Sequence, residues 1–490
     1  MMDDNQQSRE LESGEVLAKE KSVSRREFLK IAGVAGAAVG MGAGLGGLVA
    51  ACGGAEETTT TTAGPTTTAG PTTTTTVAPT TTVSAGPETG REIKVGVVSP
   101  VTGIYAVFAI SDKWSLGILD KTTKGTMLLG DGKNHPVKWV LRDTQSDINR
   151  ASQVASDFIL NDKVDLMIVG GGPDTGMPVA DQCEALGTPL VATNVPWQAW
   201  VFGRGKTPDV VEKWVYGDLF GIEQATACVV KTFDQLTTNK KVGLFYGNTV
   251  DSQAWLTPGV GIKDTLEGAG YTTTLPSLFN QGTEDFTDLI SAYKKAGCEL
   301  LMGSNPGKDF PNFWRQCLQQ NFHPKGVLEV VGLASYEDQV ALGDAALGIF
   351  TGFTWHKSWP YSDLITGMTN AQLADDYEAT LNSPWNIFIT GHARFEWAFD
   401  VLKRTKDLDS KDSIVEAIKA TKTTLTNGPI DMTEPVSITG KHVTANIYKQ
   451  PWGFGQIEKG TKYKFNIPLV AQVDAPEVKV DRTAQPMVYS

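Results

Sequence analysis

Five histidines, at positions 135, 323, 356, 392 and 442, are the first residues to test for metal or acid–base chemistry, and none stands at a ligand spacing such as HExxH. Cys183, Cys228, Cys298 and Cys317 contain no CxxC and fall in or beside apolar runs. Buried thiols are therefore expected, with one disulfide possible in an oxidising compartment. The chain has no P-loop and no GxSxG. Gly42, Gly44 and Gly47 satisfy GxGxxG, but no strand precedes them, so the phosphate cradle that gives the pattern its meaning is missing. These residue types and spacings predict no catalytic centre, no resident metal and no cofactor. Carboxylates can still meet in space without announcing it in sequence, and the competing class is an exported cofactor-containing oxidoreductase, since twin-arginine export is often used for proteins that fold around a cofactor first.

Composition narrows the partners. The 490 residues carry 43 Lys+Arg against 55 Asp+Glu, a net charge of −12, with 41% hydrophobic and 20% charged residues. That is a globular chain, and its acidity argues against a nucleic-acid partner, since phosphate binding needs a basic face. Near the start, Ser24-Arg25-Arg26-Glu27-Phe28-Leu29-Lys30 precedes a weakly apolar stretch over 31–51. The pair Arg25 and Arg26 resembles a twin-arginine export signal. Seven of the 21 residues in 31–51 are Gly, too many for a permanent transmembrane helix. The stretch closes on Leu48-Val49-Ala50-Ala51-Cys52-Gly53, which resembles a bacterial lipobox in which Cys52 is diacylated and becomes the new N-terminus. Two or three acyl chains give stable anchoring where one does not. Between 58 and 89 stand 17 Thr mixed with Pro, Ala and Gly and without apolar period, the composition of an extended tether.

The elements that must position any site follow from residue 92 onward, where short apolar runs alternate with segments of helical period. Strands are expected over 93–98, 137–141, 165–169 and 189–192, and helices over 148–159 and 177–186. After a less regular segment near 196–220, strands are expected over 241–246, 272–279, 299–302, 326–331 and 349–353. Helices over 256–269, 286–296 and 313–321 separate them, and others near 371–381, 388–404 and 412–421 follow. The chain closes with antiparallel character at 446–449 and 463–467. Two open parallel sheets joined by more than one crossover bring their strand C-termini to a shared cleft, where ligands bind in doubly wound sheets.

Several segments carry a family resemblance. IKVGVVSPVTGIY (93–105) and RDTQSDINRASQVASDFILNDKVDLMIVGG (142–171), followed in order by GLFYGNT, FNQGTEDFTDLISAYKKAGCELLMGSN and LGIFTGF, resemble the branched-chain amino-acid type of solute-binding protein over roughly 91–470. The resemblance implies an α/β, two-lobed type I periplasmic binding protein fold, each lobe a mostly parallel sheet flanked by helices. It also implies that two lobes close over a small ligand and present it to an ABC importer.

In that family the loop after the third strand holds a ligand carboxylate by backbone N–H groups at a helix N-terminus. Here the loop is Gly170-Gly171-Gly172-Pro173-Asp174-Thr175-Gly176, with Gly172 in the cradle, Thr175 as side-chain donor and Asp174 as N-cap. The family has Ser or Thr directly after the glycines, and an acid there repels a carboxylate unless it turns away to cap the helix. After the fourth strand, Asn194 offers donor and acceptor, while Trp197 serves either as a cleft wall or, with Trp200, as lobe packing. Tyr105 is expected from the first lobe, and Asp251, Asn305 and Ser335 from the second. The loop 332–337 reads GLASYE, so the acid that neutralises an ammonium group in amino-acid binders is displaced or absent, with Asp251 as its substitute. Trp355, Trp359 and Tyr361 suit either the cleft mouth or hinge packing.

The organisation expected is a signal over 1–51, a tether over 52–91, a first lobe from 92–210 plus about 385–440, and a second from about 215–380 plus 441–490. The implied function is an extracytoplasmic receptor, lipid-anchored at the outer face of the cytoplasmic membrane or in the periplasm. It is expected to be a monomer that delivers an amino acid, amide, carboxylate or aromatic compound to the membrane subunits of an ABC importer. A ligand-binding partner of a separate sensor is the other non-enzymatic reading.

Overall fold

Ile93–Ser99 reads IKVGVVS and is apolar at nearly every position, as a strand covered by helices on both faces must be. It lies inside the first of two large sheets. The computed structural model describes residues 86–489, apart from 438, 439 and 445, so Arg25, Arg26, Cys52 and most of the tether lie outside the described residues. Across the first sheet the strands run His442–Thr444, Ile447–Lys449, Val215–Phe220, Leu190–Pro196, Leu166–Val169, Ile93–Ser99, Asn134–Asp143 and Thr126–Leu128. Only the outermost strand at each edge is antiparallel to its neighbour. The second sheet runs Leu469–Val473, Trp452–Gln456, Phe350–Phe353, Gly326–Glu329, Leu300–Gly303, Lys241–Phe245 and Thr272–Thr274. Its first two strands are antiparallel and the rest parallel. This is the type I periplasmic binding protein architecture expected from the sequence.

Helix signals sit where capping chemistry puts them. The Asp147 side chain accepts from the Arg150 N–H at 2.7 Å and starts the helix Ile148–Asp157, whose Ala151, Val154 and Ala155 pack on the first sheet. Pro173 opens Pro173–Leu186, and Gly187 ends it in the left-handed conformation. The helix starts earlier than its apolar period indicated because Pro173 is preorganised for a first turn.

The chain passes between the sheets three times, and hydrogen bonding moves the expected boundaries. Val215–Phe220 belongs to the first sheet, pairing with Leu190–Pro196, so the first passage is at Gly221 rather than near 210–215. Ile447–Lys449 pairs with Val215–Phe220, so the last passage is at Gln450-Pro451 rather than 441. The helix Asn370–Leu381 also packs on the first lobe, where the Trp114 Nε1 donates to Asp376 at 2.8 Å and the Trp114 and Tyr377 rings meet edge to face. Crossing segments are stitched together: Asn427 Nδ2 donates to Asp218 at 2.6 Å and to Gln450 at 2.7 Å, and the Gln450 N–H donates to the Leu219 carbonyl at 2.8 Å.

Cys183, Cys228, Cys298 and Cys317 are all buried and unbridged. Burial pushes the thiols of Cys183, Cys228 and Cys317 well above their usual range, which makes them packing residues and not nucleophiles. Among the described residues no helix is long and apolar enough to cross a membrane.

Candidate functional site

Where the strand C-termini of the two sheets meet there is a cavity of about 50 Å³. The first lobe contributes Phe108, Asn194, Phe220, Phe388 and Thr390, and the second Asp251, Trp255, Ser304, Val330 and Trp452. Phe220 and Trp452 lie 4.6 Å apart between ring centroids, and Trp452 meets Trp255 edge to face.

Asn194 is placed by a break in its own strand. The register of Leu190–Pro196 against Val215–Phe220 shifts between Thr193 and Pro196, and Asn194 takes φ 60°, a left-handed conformation that Asn tolerates better than most residues. Such bulges re-aim a side chain beside a site. The Asn194 amide nitrogen is buried and has no hydrogen-bond partner among the described residues, and neither has the indole N–H of Trp452.

Asp251 stands in the first turn of Val250–Trp255, which Thr249 caps by accepting from the Ser252 N–H at 3.1 Å. Its carboxylate accepts from the Ser304 hydroxyl at 3.0 Å. Complete burial, with the Asp174 charge adding to it, pushes Asp251 up from 3.8 to about 7. Asp174 is itself raised by burial, against a hydrogen bond from Tyr105 that lowers it, and its Oδ2 has no partner. The charges of Asp174 and Asp251 both act on the Tyr105 hydroxyl, so these three side chains are neighbours. Asp174 is not the cap expected from the sequence: Gly172 occupies the N-cap with φ 78°, Pro173 follows, and Asp174 is the second residue of the helix. Thr175 is buried in the first turn and is not part of the cavity wall.

The glycine loop owes its shape to two close approaches. A Cβ on Gly170 would lie 2.8 Å from the Arg394 guanidinium, and one on Gly171, at φ 108°, would lie 2.5 Å from the Pro100 ring. Gly171→Ala is expected to cost about 1–3 kcal/mol, read as a lowered urea midpoint at unchanged slope. An unchanged midpoint would show that the loop has slack.

Three expected residues are placed elsewhere. Asn305 is consumed inside the second lobe, accepting from the Gly247 N–H at 3.0 Å and donating to the Phe245 carbonyl at 2.8 Å and to Glu329 at 3.1 Å. Ser335 caps Tyr336–Leu342, accepting from the Asp338 N–H at 3.1 Å. The Trp197 indole donates to Glu223 at 3.1 Å, and Lys449 pairs with the same carboxylate at 2.9 Å, which makes Trp197 a hinge anchor. The aromatic group of Trp355, Trp359 and Tyr361 is buried in a crossing segment, away from the cavity wall. Sequence reasoning missed Phe108, Phe220, Trp255, Ser304 and Trp452. Ser304 alone had a signal, as the residue after a strand end.

Asp363, His392 and Glu396 bring ligand atoms within 4.8 Å of one another, all buried. Their lone pairs and protons are already used. His392 Nε2 meets Asp363 at 3.2 Å and its Nδ1 meets Ser115 at 3.0 Å, while Glu396 accepts from the Leu364 and Thr426 N–H groups, each at 3.1 Å. Both ring nitrogens being engaged, the trio is a joint holding a crossing segment to the helix Ala393–Arg404 and not an open metal centre.

The fold has counterparts in solved structures. A solved leucine binding protein from Thermotoga maritima superposes with a TM-score of 0.62 at 18% identity, covering 79% of this chain and 99% of that one. A solute binding protein of an ABC transporter from Rhodopseudomonas palustris, in complex with 3,4-dihydroxybenzoic acid, gives 0.61 at 18%, covering 80% and 99%. Another from R. palustris, in complex with benzoate, gives 0.61 at 15%, covering 81% and 98%. At those identities the likeness speaks for the fold. Residues 22–42 match the model of the twin-arginine translocation pathway signal sequence. The model of the periplasmic binding protein family matches residues 92–461, most of the chain, and the protein belongs to that family.

Proposed function

We propose that the protein is an extracytoplasmic receptor that captures a small organic solute between its lobes and delivers it to the membrane subunits of an ABC importer. The observation that carries this reading is the cavity at the strand ends, walled by aromatic side chains from both lobes and furnished with unpaired polar atoms. Such a site has little to act on a substrate with: its one titratable group on the wall is Asp251. Binding energy gained from both walls at once favours the closed arrangement, and a closed form is what an importer can read. The similar proteins from R. palustris hold aromatic carboxylates in complexes and the one from T. maritima is a leucine binding protein, which supports a small organic solute here.

Thermal-shift screening of the mature chain against amino acids, amides, amines, carboxylates and small aromatics tests the reading. A true ligand at 100 times its dissociation constant adds about 2.7 kcal/mol. A bound flavin or nucleotide in native mass spectra, with no solute shift, would favour an enzyme instead.

The twin-arginine signal supports a receptor that works outside the cytoplasm, and the lipobox-like sequence ending at Cys52 supports a lipid tether to the membrane. Cys52→Ala is expected to move the protein from the membrane fraction to the soluble exported fraction. Unchanged membrane retention would rule out lipid anchoring at this residue.

A further inference from the structure

The cavity wall is aromatic and acidic, and it contains no Lys and no Arg. Phe108, Phe220, Trp255, Phe388 and Trp452 supply the rings. Asp251 comes from the second lobe, and Asp174 stands close enough for its charge to act on it from the first. Neither carboxylate takes part in an ion pair among the described residues. One oxygen of Asp174 is buried without a partner, and no cation of the described residues pairs with either carboxyl group. A buried carboxylate without a cation is costly, and a second one beside it more so. The helix N-terminus at Gly172 would attract an anion, but Asp174 in its first turn already fills that role. A solute carboxylate entering here would meet two carboxyl groups and no positive side chain. A protonated nitrogen would meet two acceptors and the faces of aromatic rings, the surroundings that favour organic cations.

We propose that the cleft selects an organic cation, a ring-bearing or apolar solute whose protonated nitrogen is held between Asp174 and Asp251. This rests on the receptor reading and names its solute class. The unpaired donors of Asn194 and Trp452 add a preference for a neutral acceptor, a carbonyl or hydroxyl, on the same solute. Phenylalaninamide carries all three features. Phenethylamine lacks the acceptor, phenylalanine brings a carboxylate, and benzoate lacks the cation.

Calorimetric titration of the mature chain with these four compounds is the test. The amide and the amine are expected to bind about tenfold or more tighter than phenylalanine, and benzoate not to bind. Amine binding at pH 6.5 is also expected to release protons, seen as a heat that changes with the buffer's ionisation enthalpy. Of the titratable groups that face Asp251, Asp174 shares in this titration, while burial keeps Tyr105 and Tyr246 protonated throughout. Asp174→Asn and Asp251→Asn, each checked for an intact fold by circular dichroism, should each weaken the amines and abolish or reduce the proton release. Tighter binding of benzoate or phenylalanine than of the amide overturns the cation assignment while leaving the receptor reading standing. Silence from all four and from the wider solute screen overturns both.

Discussion

Asp251→Asn is expected to stabilise the unliganded protein at pH 8 while removing its response to solutes. The carboxyl is fully buried and raised from 3.8 to about 7, first by burial and then by the Asp174 charge. A folded-state value above the unfolded one means that the folded protein holds a proton which the unfolded chain gives up between about pH 4 and pH 7. Stability from this group is therefore complete below about pH 4 and is lost as pH rises through about 7. At about 1.36 kcal/mol per pH unit the loss is about 4 kcal/mol at most. Asn keeps an acceptor for the Ser304 hydroxyl without the charge. The variant should equal the wild type near pH 4 and exceed it at pH 8 by a few kcal/mol, a rise of roughly 5 °C or more in Tm. Urea melts at the two pH values measure this, and a variant less stable than the wild type at pH 8 would show that the carboxylate is a structural support. A gain in stability at the expense of function is the usual signature of a residue kept for its ligand.

Arg394→Ala is expected to have the opposite effect and one of similar size. The guanidinium is completely buried, paired with Asp112, and donates to the Gly391 carbonyl at 2.9 Å. It also lies against Gly170, at the base of the glycine loop. Removing it leaves Asp112 buried without its counter-charge, a situation that costs about 3–5 kcal/mol. The Tm should fall by roughly 4–6 °C, and solute affinity should fall with it because the loop loses its floor. The double variant Asp112→Asn with Arg394→Met keeps most of the volume and buries no lone charge, and it is expected to recover at least half of the loss. A single variant within 1 kcal/mol of wild type would mean that water reaches the pair.

The sequence was most legible where one element has one period. Strands such as Leu166–Val169 and Leu300–Gly303 are apolar runs between turn residues, and they appear within a residue or two of their expected bounds. Val215–Phe220 was not legible, because WVYGDLF interrupts its apolar residues with Gly217 and Asp218, and Asp218 is there to bind Asn427 in the crossing network. Asn194 and Asp251 were found by the rule that ligands sit at strand C-termini. Asn305 and Ser335 obey the same rule but serve a strand end and a helix cap, uses that only hydrogen-bond partners reveal. Trp452 could not be found that way at all. It lies more than 230 residues beyond Phe220 in the chain, and only the third passage between the sheets brings the two rings together.

That third passage has a consequence for how the protein is made. Val215–Phe220 cannot gain its outer neighbour until Ile447–Lys449 has left the ribosome, and Phe350–Phe353 likewise waits for Trp452–Gln456. Neither lobe can finish ahead of the other during synthesis, and both depend on late, long-range strand pairing, the slowest kind. A chain threaded unfolded through a pore would have to perform that search outside the cell, without cytoplasmic chaperones. The twin-arginine route is one often used by proteins that fold before export, and a topology whose last strands complete both sheets is well matched to leaving the cytoplasm already assembled.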